Sequence, residues 1–400
     1  MKPINRNGTT NDFIMEEVST CCMQFIKRKN RYCRMTVKKG NKFCGEHQQD
    51  SLSSTNVFHY TFTCYRSKLS KHLTICNARK MLNSQPAYIV KDINLDKETQ
   101  EVLRLLPLSQ LDLSVIDAII KKINAAYGIH LVQSILQHNV LKDTLNDSAC
   151  GKHTKKHLTQ NSSLLAHLEQ VGLVQNNTCY IEFGAGRGYL TYWLAQIAKE
   201  KVNSCILLVD RSSHRHKTDN KLKKEEHNIC VKRVRADIAD LQLNNIPEIN
   251  NFRNKVGVAK HLCGTATAID NKASGSSYGL VIAFCCHHKC EYKSFVGKNY
   301  LEECGFVPNE FPILCSIASW ATCGFNIKHI TKSESDDARL NEQNIYFNER
   351  ELIGHKVKTL LNWGRLEYLK NSGFDASLFR YISTDVSLEN MCIIAKYTVA

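Results

Sequence analysis

Short apolar runs alternate with helical patterns over residues 158–400. The runs have the length of strands that are buried on both faces of a sheet. We interpret as strands the segments 179–183, 206–209, 229–234, 256–259, 280–284, 379–382 and 391–396. Strands that alternate with helices are typical of an α/β fold with a mostly parallel sheet.

The first of these runs breaks into three glycines, Gly184, Gly186 and Gly188, and a helical pattern follows at once. A strand, a glycine turn and a helix in this order bring backbone amides close to a bound cofactor, because a Cβ atom would block that approach. Tyr189 stands where a dinucleotide-binding fingerprint requires Gly or Ala, and no Gly-x-x-x-x-Gly-Lys-[Ser/Thr] pattern for a nucleoside triphosphate is present. The turn alone is a weak signal, since many such turns only join a strand to a helix.

Three acids narrow the choice of cofactor. Glu182 directly precedes the first glycine, where it would repel a pyrophosphate but suit a cofactor with a cationic amino-acid end, of which S-adenosylmethionine is the common one. Asp210 ends the second strand about twenty residues further on, where an acid usually binds ribose hydroxyls. Asp237 follows the third strand as a contact for adenine. The glycines and these acids, in β-α-β order, predict a Rossmann-like methyltransferase.

The composition is that of a globular and strongly basic protein. The 400 residues are 43% hydrophobic, carry a formal net charge of +15 and include 18 cysteines. No run of about eighteen apolar residues is present, so no membrane partner is expected. Residues 1–17 have no apolar signal core, which predicts an intracellular location, nucleus or cytoplasm, with cysteines that are thiols or metal ligands. The charge favours a polyanionic partner, although a merely basic soluble protein has the same balance.

A compact cysteine group lies near the start of the chain. Cys22, Cys33, Cys44 and His47 have the spacing C-x10-C-x10-C-x2-H, which predicts a closed, structural zinc site. Cys21 is an alternative ligand to Cys22, and buried free cysteines are the alternative to a metal. Basic side chains interleave with the ligands, and they favour either RNA phosphate or plain solvent as their partner. These side chains are Lys27, Arg28, Lys29, Arg31 and Arg34.

The segments 22–33 and 43–47 resemble the CCCH finger of the eukaryotic tRNA 2′-O-methyltransferases that modify the fourth nucleotide of the acceptor stem. The resemblance continues in the order of that family through Glu182–Gly188, Lys260–Gly264, Phe284–Cys290, Gly364–Lys370 and Ser387–Asn390. It implies methyl transfer from S-adenosylmethionine to the ribose 2′-hydroxyl of nucleotide 4 in the tRNA acceptor stem. It also implies zinc and tRNA as partners, and no DNA is expected.

The same resemblance implies a second, CHHC-type finger. Residues 71–77 match its second half, but the first two ligand positions fall on Asn56 and Phe62. A histidine and a cysteine lie close by, so either the site has shifted to H-x4-C-x7-H-x3-C or this finger has lost its metal. The candidate ligands of the shifted site are His59, Cys64, His72 and Cys76.

Two polar clusters end neighbouring predicted strands, one at Lys260 and one at residues 285–290. The carboxyl ends of parallel strands meet at one edge of a sheet, where substrates of open α/β enzymes lie. A histidine needs little change in pKa to carry a proton, whereas a lysine base needs its pKa lowered. We therefore expect proton handling from histidine and substrate positioning from lysine. The candidate catalytic residues are Lys260, His261, His287 and His288.

Other roles stay open for residues at this edge. Two alternative interpretations concern the segment 285–290: it binds a further metal ion, or it forms a hydrogen-bonded structural turn. The residues involved are Cys285, Cys286, His288 and Cys290. A cysteine nucleophile is disfavoured because a hydroxyl accepts a methyl group directly. The family's pattern has an acid at the position of Ala268, which leaves any role for a carboxylate here open. A basic loop, 211–224, follows Asp210, where it meets either the acceptor-stem backbone or solvent.

The expected organisation is an α/β, Rossmann-like class I methyltransferase domain preceded by small zinc fingers and a helical linker. In the linker, apolar residues recur three and four apart, which predicts helices; they are Ile116, Ile119, Ile120, Ile123, Leu131 and Ile135. Two functions compete with tRNA ribose methylation: methylation of a base or of rRNA on the same scaffold, and RNA binding by a catalytically inactive zinc-finger protein. The expected parts are a flexible N-terminus (1–19), a CCCH-type finger (20–49), a CHHC-like finger (56–80), the linker (81–157) and the methyltransferase domain (158–400).

Overall fold

The computed structural model divides the chain into two compact units, Met1–Gln85 and Pro86–Ala400. Only the backbone is described for residues 56–59, 62–65, 261, 277–278 and 337–347. The described residues are 21–26, 31–37, 40–44, 47, 56–59, 62–65, 68–75, 86–95, 107–222, 224–225, 229–262, 277–322 and 337–397.

The described part of the first unit consists of two short hairpins and one helix. The strands β1 (Phe25–Ile26) and β2 (Arg31–Tyr32) pair antiparallel, as do β3 (Asn56–His59) and β4 (Phe62–Tyr65). The helix α1 follows at Leu69–Ile75. Three buried cysteines form the core beneath the first hairpin. So small an apolar core needs a metal or another cross-link to be stable.

The second unit is built on a mixed seven-stranded sheet with the order β10-β11-β9-β8-β5-β6-β7. The strands β5 to β9 run parallel, and β11 runs antiparallel to both of its neighbours, β9 and β10. The strands are β5 (Thr178–Phe183), β6 (Ser204–Val209), β7 (Cys230–Val234), β8 (Asn254–Leu262), β9 (Ser277–Phe284), β10 (Phe374–Arg380) and β11 (Met391–Tyr397).

Helices cover both faces of this sheet. Alternate residues of β5 belong to two different apolar clusters, one packed on Leu164 and Leu190, the other on Ile246 and Leu366. Further helices pack on one another beside the sheet. The helices of this unit are α2 (Leu113–Ala126), α3 (Lys142–Asn146), α4 (Lys152–Gln170), α5 (Tyr189–Ala198), α6 (Asp219–Leu222), α7 (Pro247–Asn250), α8 (Lys298–Glu303), α9 (Phe311–Ala318) and α10 (Asp337–Asn371).

Each of the seven predicted strands is present, and the α/β prediction is confirmed. Every residue of β5 and β6 is buried, which explains why residues 205–209 are an unbroken apolar run and residues 179–183 are apolar except at Glu182. The prediction for β10 was placed too late. That strand is the sheet edge, so Phe374, Ala376 and Leu378 are buried while Asp375 and Ser377 between them are exposed. Because polar and apolar residues alternate in the first half of β10, that half does not appear in the sequence as an apolar run.

The predicted helical pattern in the linker is only partly correct. Ile116, Ile119 and Ile123 line the buried side of α2, as expected. The residues after Gly128 are extended instead, and Ser134 N donates to Arg380 O at 2.9 Å. Residues 131–135 therefore lie along the edge strand β10, where the unpaired backbone of the edge offers hydrogen bonds that outweigh the helical spacing. Residues 86–157 belong to the second compact unit.

The fold sets the position of the candidate site. The strand β5 lies between β6 and β8, so the chain winds outward in opposite directions on its two sides. In such sheets the crevice outside the carboxyl ends of the central strands is the usual ligand position. None of the helices in the described part of the chain is long and apolar enough to cross a membrane.

Candidate cofactor and active site

The glycine bend after β5 has a backbone that favours glycine. Gly184, Gly186 and Gly188 have φ of 65°, 52° and 78°, all in the left-handed region that residues with a Cβ rarely adopt. A Cβ added to Gly186 would meet no atom closer than 4.0 Å, so one side of the bend is open. A ligand can approach the backbone at this open side.

Asp210, at the carboxyl end of β6, holds the bend in place. Its Oδ2 accepts from Gly186 N at 2.7 Å, and its Oδ1 accepts from Ser212 N at 2.7 Å and lies 3.3 Å from His214 Nε2. A carboxylate has about four acceptor positions, so Oδ2 can accept one further hydrogen bond. The arrangement fits the ribose-binding role predicted for this residue.

An ion pair that the sequence analysis missed lies beneath the bend. Arg233 of β7 donates from Nη1 to Gly186 O at 2.9 Å and from Nη2 to Asp219 Oδ1 at 2.8 Å. Asp219 is 3% exposed. A Cβ on Gly188 would lie 2.9 Å from its Oδ1. The only sequence signal was a pair of cations, Lys232 and Arg233, in a short strand, and the spacing gave no indication that Arg233 pairs with Asp219.

Glu182 is buried under the start of α5. Its Oε2 accepts from Thr191 N at 2.9 Å and from the Thr191 hydroxyl. Burial raises the pKa of this carboxyl to about 7, against the Thr191 hydrogen bonds and the charges of Arg233 and Lys260, which lower it. The carboxylate therefore fixes the bend to the helix, and its contact with a cationic cofactor end stays a prediction.

Asp237 begins a 3₁₀ turn at Ile238–Asp240 and accepts from Ala239 N at 3.1 Å. The segment 86–95 packs against this turn: Val90 N donates to Asp240 O at 2.8 Å. This tract, which was expected to be part of the helical linker, thus packs against the turn that Asp237 begins. Side chains contribute as well: Asn94 Nδ2 donates to Ile238 O at 2.7 Å and to Leu241 O at 2.8 Å, and Lys91 Nζ donates to Asp240 Oδ1 at 3.2 Å.

Lys260 lies near the end of β8, at the same edge as the glycine bend. Its Nζ donates to Asn161 Oδ1 at 2.8 Å and to His157 O at 3.1 Å, both on α4. Burial lowers the pKa of Lys260 to about 8, and the nearby charge of Glu182 opposes this. Asn161 is 1% exposed and belongs to a polar run, 160–163, that is buried within α4. The sequence signal that could have revealed this partner is a run of polar residues at helix positions where apolar residues are expected.

His287 lies in the interior. Its Nδ1 is 2.6 Å from Cys285 O, and its Nε2 is 2.9 Å from Asn362 Oδ1. Burial, with the charges of Arg365 and Lys358, lowers the pKa of His287 to about 3, so the ring is neutral at pH 7. A buried ring whose two nitrogens both lie against protein oxygens does not suit the proton-handling role considered for it.

The neighbouring residues differ from His287 in exposure. His288 is exposed, while the side chain of His261 lies outside the described residues. Cys290 is buried and accepts from Arg365 Nη2 at 3.1 Å. Within the described part of the chain, the cysteines and histidines of 285–290 do not converge on one point as metal ligands do. The geometry favours the structural turn among the alternatives for this segment.

The first cysteine group has the geometry of a metal site. The Sγ atoms of Cys22 and Cys44 lie 3.4 and 3.3 Å from His47 Nδ1, and those of Cys33 and Cys44 are 4.0 Å apart. Tetrahedral zinc with Zn–S of about 2.3 Å and Zn–N of about 2.0 Å requires S···N of about 3.5 Å and S···S of about 3.8 Å. These four residues therefore fit zinc. Cys21 is exposed and lies outside the cluster, so the geometry favours Cys22 over Cys21 as a ligand.

The family model described as "Methyltransferase TRM13" matches residues 159–396, and "CCCH zinc finger in TRM13 protein" matches residues 21–48. The chain belongs to the TRM13 methyltransferase family.

Curated relatives extend the TRM13 match over most of the chain. A protein named "tRNA:m(4)X modification enzyme TRM13 homolog" from Mus musculus is 31% identical, and the alignment covers 94% of each chain. The protein of the same name from Homo sapiens is also 31% identical, with 94% of each chain covered. "tRNA:m(4)X modification enzyme TRM13" from Scheffersomyces stipitis is 30% identical over 92% of this chain and 98% of the relative. The predictions of the family, of a methyltransferase enzyme and of a CCCH finger are confirmed.

Two other expected features of a TRM13 protein lie partly outside the described residues. In the second finger, His59 ends β3, Cys64 lies on β4 and His72 on α1, but Cys76 and the side chains of His59 and Cys64 are not described. Zinc at this finger stays a prediction. In the basic loop, Arg211 and Arg215 are exposed beside Asp210, and Lys223 is not described.

Proposed function

We propose that this TRM13 family member transfers a methyl group from S-adenosylmethionine to the ribose 2′-hydroxyl of nucleotide 4 in the acceptor stem of tRNA. The printed names of the relatives describe enzymes that modify tRNA, which supports the substrate class. The observation that carries the proposal is the shared position of an open glycine bend, Asp210 and a desolvated Lys260 at one edge of the sheet.

The residues around the bend fit the donor. The open side of Gly186 admits an adenosyl group close to the backbone, Asp210 offers a remaining acceptor for ribose hydroxyls, and Asp237 lies where adenine is expected. S-adenosylmethionine supplies a methyl group on a positively charged sulfur when it is bound. The chain's own contribution is to hold the acceptor hydroxyl in line and to remove its proton.

Lys260 is the best-placed group to take that proton. A neutral amine has two N–H donors and one lone pair, and Lys260 has two described acceptors, Asn161 Oδ1 and His157 O. Those contacts leave the lone pair available for a ribose hydroxyl. Since burial brings the pKa of Lys260 to about 8, a substantial fraction of the amine is neutral near pH 7.5. This favours lysine as the base over His287, whose ring is enclosed and whose pKa of about 3 makes it a weak base.

Positive charge supports an RNA substrate. Arg211 and Arg215 are exposed next to the ribose-binding Asp210, and the chain as a whole carries a net charge of +15. Zinc in the finger would order the cationic residues Arg31 and Arg34 around Cys33 for contact with phosphates.

The decisive experiment transfers labelled methyl from S-adenosylmethionine to total tRNA and locates the label by nuclease digestion. We expect a 2′-O-methylated nucleotide at position 4. Lys260→Met should reduce the transfer rate about 10²- to 10⁴-fold, the usual contribution of a general base, with cofactor affinity retained. Lys255→Met is the matched control, because Lys255 is the other lysine of β8 and lies buried nearer its amino end; it should keep the rate.

Label on a base, or label in a parallel reaction with rRNA and none in tRNA, would replace the proposal with the competing methyltransferase function. A fully active Lys260→Met enzyme would leave the ribose product in place and remove lysine as the base.

A further inference from the structure

The first two turns of α4 carry a group of cations beside the proposed base. The helix begins after Gly151, which has no side chain to cap it, and its first turn has no acid. The cationic and imidazole side chains of these turns are all exposed. They are Lys152, His153, Lys155, Lys156 and His157.

This arrangement does not stabilise the helix. The amino end of a helix carries a partial positive charge, so acids are favourable there and lysines are unfavourable. In the described part of the chain, no carboxylate lies within ion-pair distance of Lys152 or Lys155. Lys156 Nζ donates to Asp385 O, a neutral carbonyl, at 2.8 Å. The positive charge of these lysines is therefore available to an external anion.

The cationic turns of α4 are in direct contact with Lys260 at the carboxyl edge of the sheet. Lys260 Nζ donates to the backbone oxygen of His157, so the surface begins one side chain away from the group that would take the proton. Burial and the charges of Lys260 and His153 lower the pKa of His157. His157 is therefore a neutral hydrogen-bonding group at pH 7, and the lysines supply the charge.

We propose that Lys152 and Lys155, on the exposed start of α4, form the docking surface for the tRNA backbone and hold the phosphates that flank the methylated ribose. The inference rests on the proposed function, since it supplies the contact that presents a 2′-hydroxyl to Lys260. A polyanionic RNA strand fits because the surface combines repeated lysines, free of competing carboxylates in the described region, with imidazoles able to donate to phosphate oxygens. Because this lysine surface lies beside Lys260, at the edge of the sheet where the substrate is expected, it differs from a helix end that only contacts solvent.

The test compares two double variants. The first is Lys152→Gln with Lys155→Gln. The control is Lys199→Gln with Lys201→Gln, which removes the same charge just after α5, at the opposite edge of the sheet. Affinity for a tRNA transcript is measured by fluorescence anisotropy at several salt concentrations. Cofactor binding is measured by calorimetry and unfolding by circular dichroism.

We expect the α4 variant to bind tRNA roughly tenfold more weakly and to flatten the dependence of log K on log salt by about 1.5, the effect of losing two phosphate contacts. Its melting temperature should stay the same or rise, because unfavourable charge is removed from the helix end. The control should change affinity less than twofold. Lys152→Arg with Lys155→Arg should restore binding, which separates charge from folding.

Equal losses in the α4 variant and the control, or unchanged affinity in the α4 variant, would overturn the docking surface. The outcome is independent of where the methyl group is placed. If wild-type protein methylates a different atom while the α4 variant still loses tRNA, the docking surface stands and the proposed function fails.

Discussion

Replacing Gly188 with alanine tests how the cofactor bend is built. The residue has φ +78°, and an added Cβ would lie 2.9 Å from Asp219 Oδ1 and 3.2 Å from Arg233 Nη2. The left-handed backbone costs a residue with a side chain about 1–2 kcal/mol. Forcing a methyl group into a packed site costs about 1–3 kcal/mol more. Asp219 and Arg233 hold each other, and Arg233 also holds Gly186 O, so neither moves away without breaking the pair.

We therefore expect Gly188→Ala to lower the free energy of unfolding by roughly 2–5 kcal/mol and to weaken cofactor binding. Gly305→Ala is the matched control. Gly305 has φ +82° with nothing within 4 Å of an added Cβ, so only the backbone cost of about 1–2 kcal/mol applies. Urea unfolding gives the stabilities, and calorimetric titration with S-adenosylmethionine gives the affinities. The contrary result is that both variants lose the same stability and bind the cofactor like wild type. That result would show that Asp219 and Arg233 can move to accept the methyl group, and it would refute the expected packing cost.

Three further predictions follow from groups described above. Because the pKa of Glu182 is raised to about 7 from an ordinary value near 4.5, the folded state retains a proton that the unfolded state loses between these values. Wild-type stability should thus fall by up to about 3 kcal/mol between pH 4.5 and 7, and Glu182→Gln should remove most of that fall in urea unfolding. The methyl-transfer rate should rise with pH and level off above about 8, and Lys260→Met should abolish that inflection; a wild-type rate independent of pH between 6 and 9 would contradict this. Cys33→Ser should lose one equivalent of zinc by plasma mass spectrometry, while Cys21→Ser should keep it; zinc retained in Cys33→Ser would exclude the ligand set.

The strands and the glycine bend were predictable from local patterns. Buried parallel strands such as β5 are apolar along most of their length, and the positive φ values at Gly184 and Gly186 favour a residue type that the sequence shows directly. The zinc cluster was predictable for the same reason, because its ligands lie at fixed spacings in one short segment.

The rest depends on contacts between distant segments. Lys260 meets Asn161 across 99 residues, and His287 meets Asn362 across 75. No local period encodes such pairs, so the sequence suggested histidine as the base, whereas the surroundings of each side chain favour lysine. The extended course of 131–135 likewise follows from an edge strand that the chain supplies more than 200 residues later.

The position of β11 has a consequence for biosynthesis. This strand is inserted between β9 and β10, so β9 keeps one unpaired edge until residues 391–397 have left the ribosome. A nascent chain at that stage exposes an apolar strand edge, which is prone to pairing with other chains. Messages with a premature stop codon upstream of residue 391 should therefore yield insoluble product even though every residue of the cofactor bend has been translated.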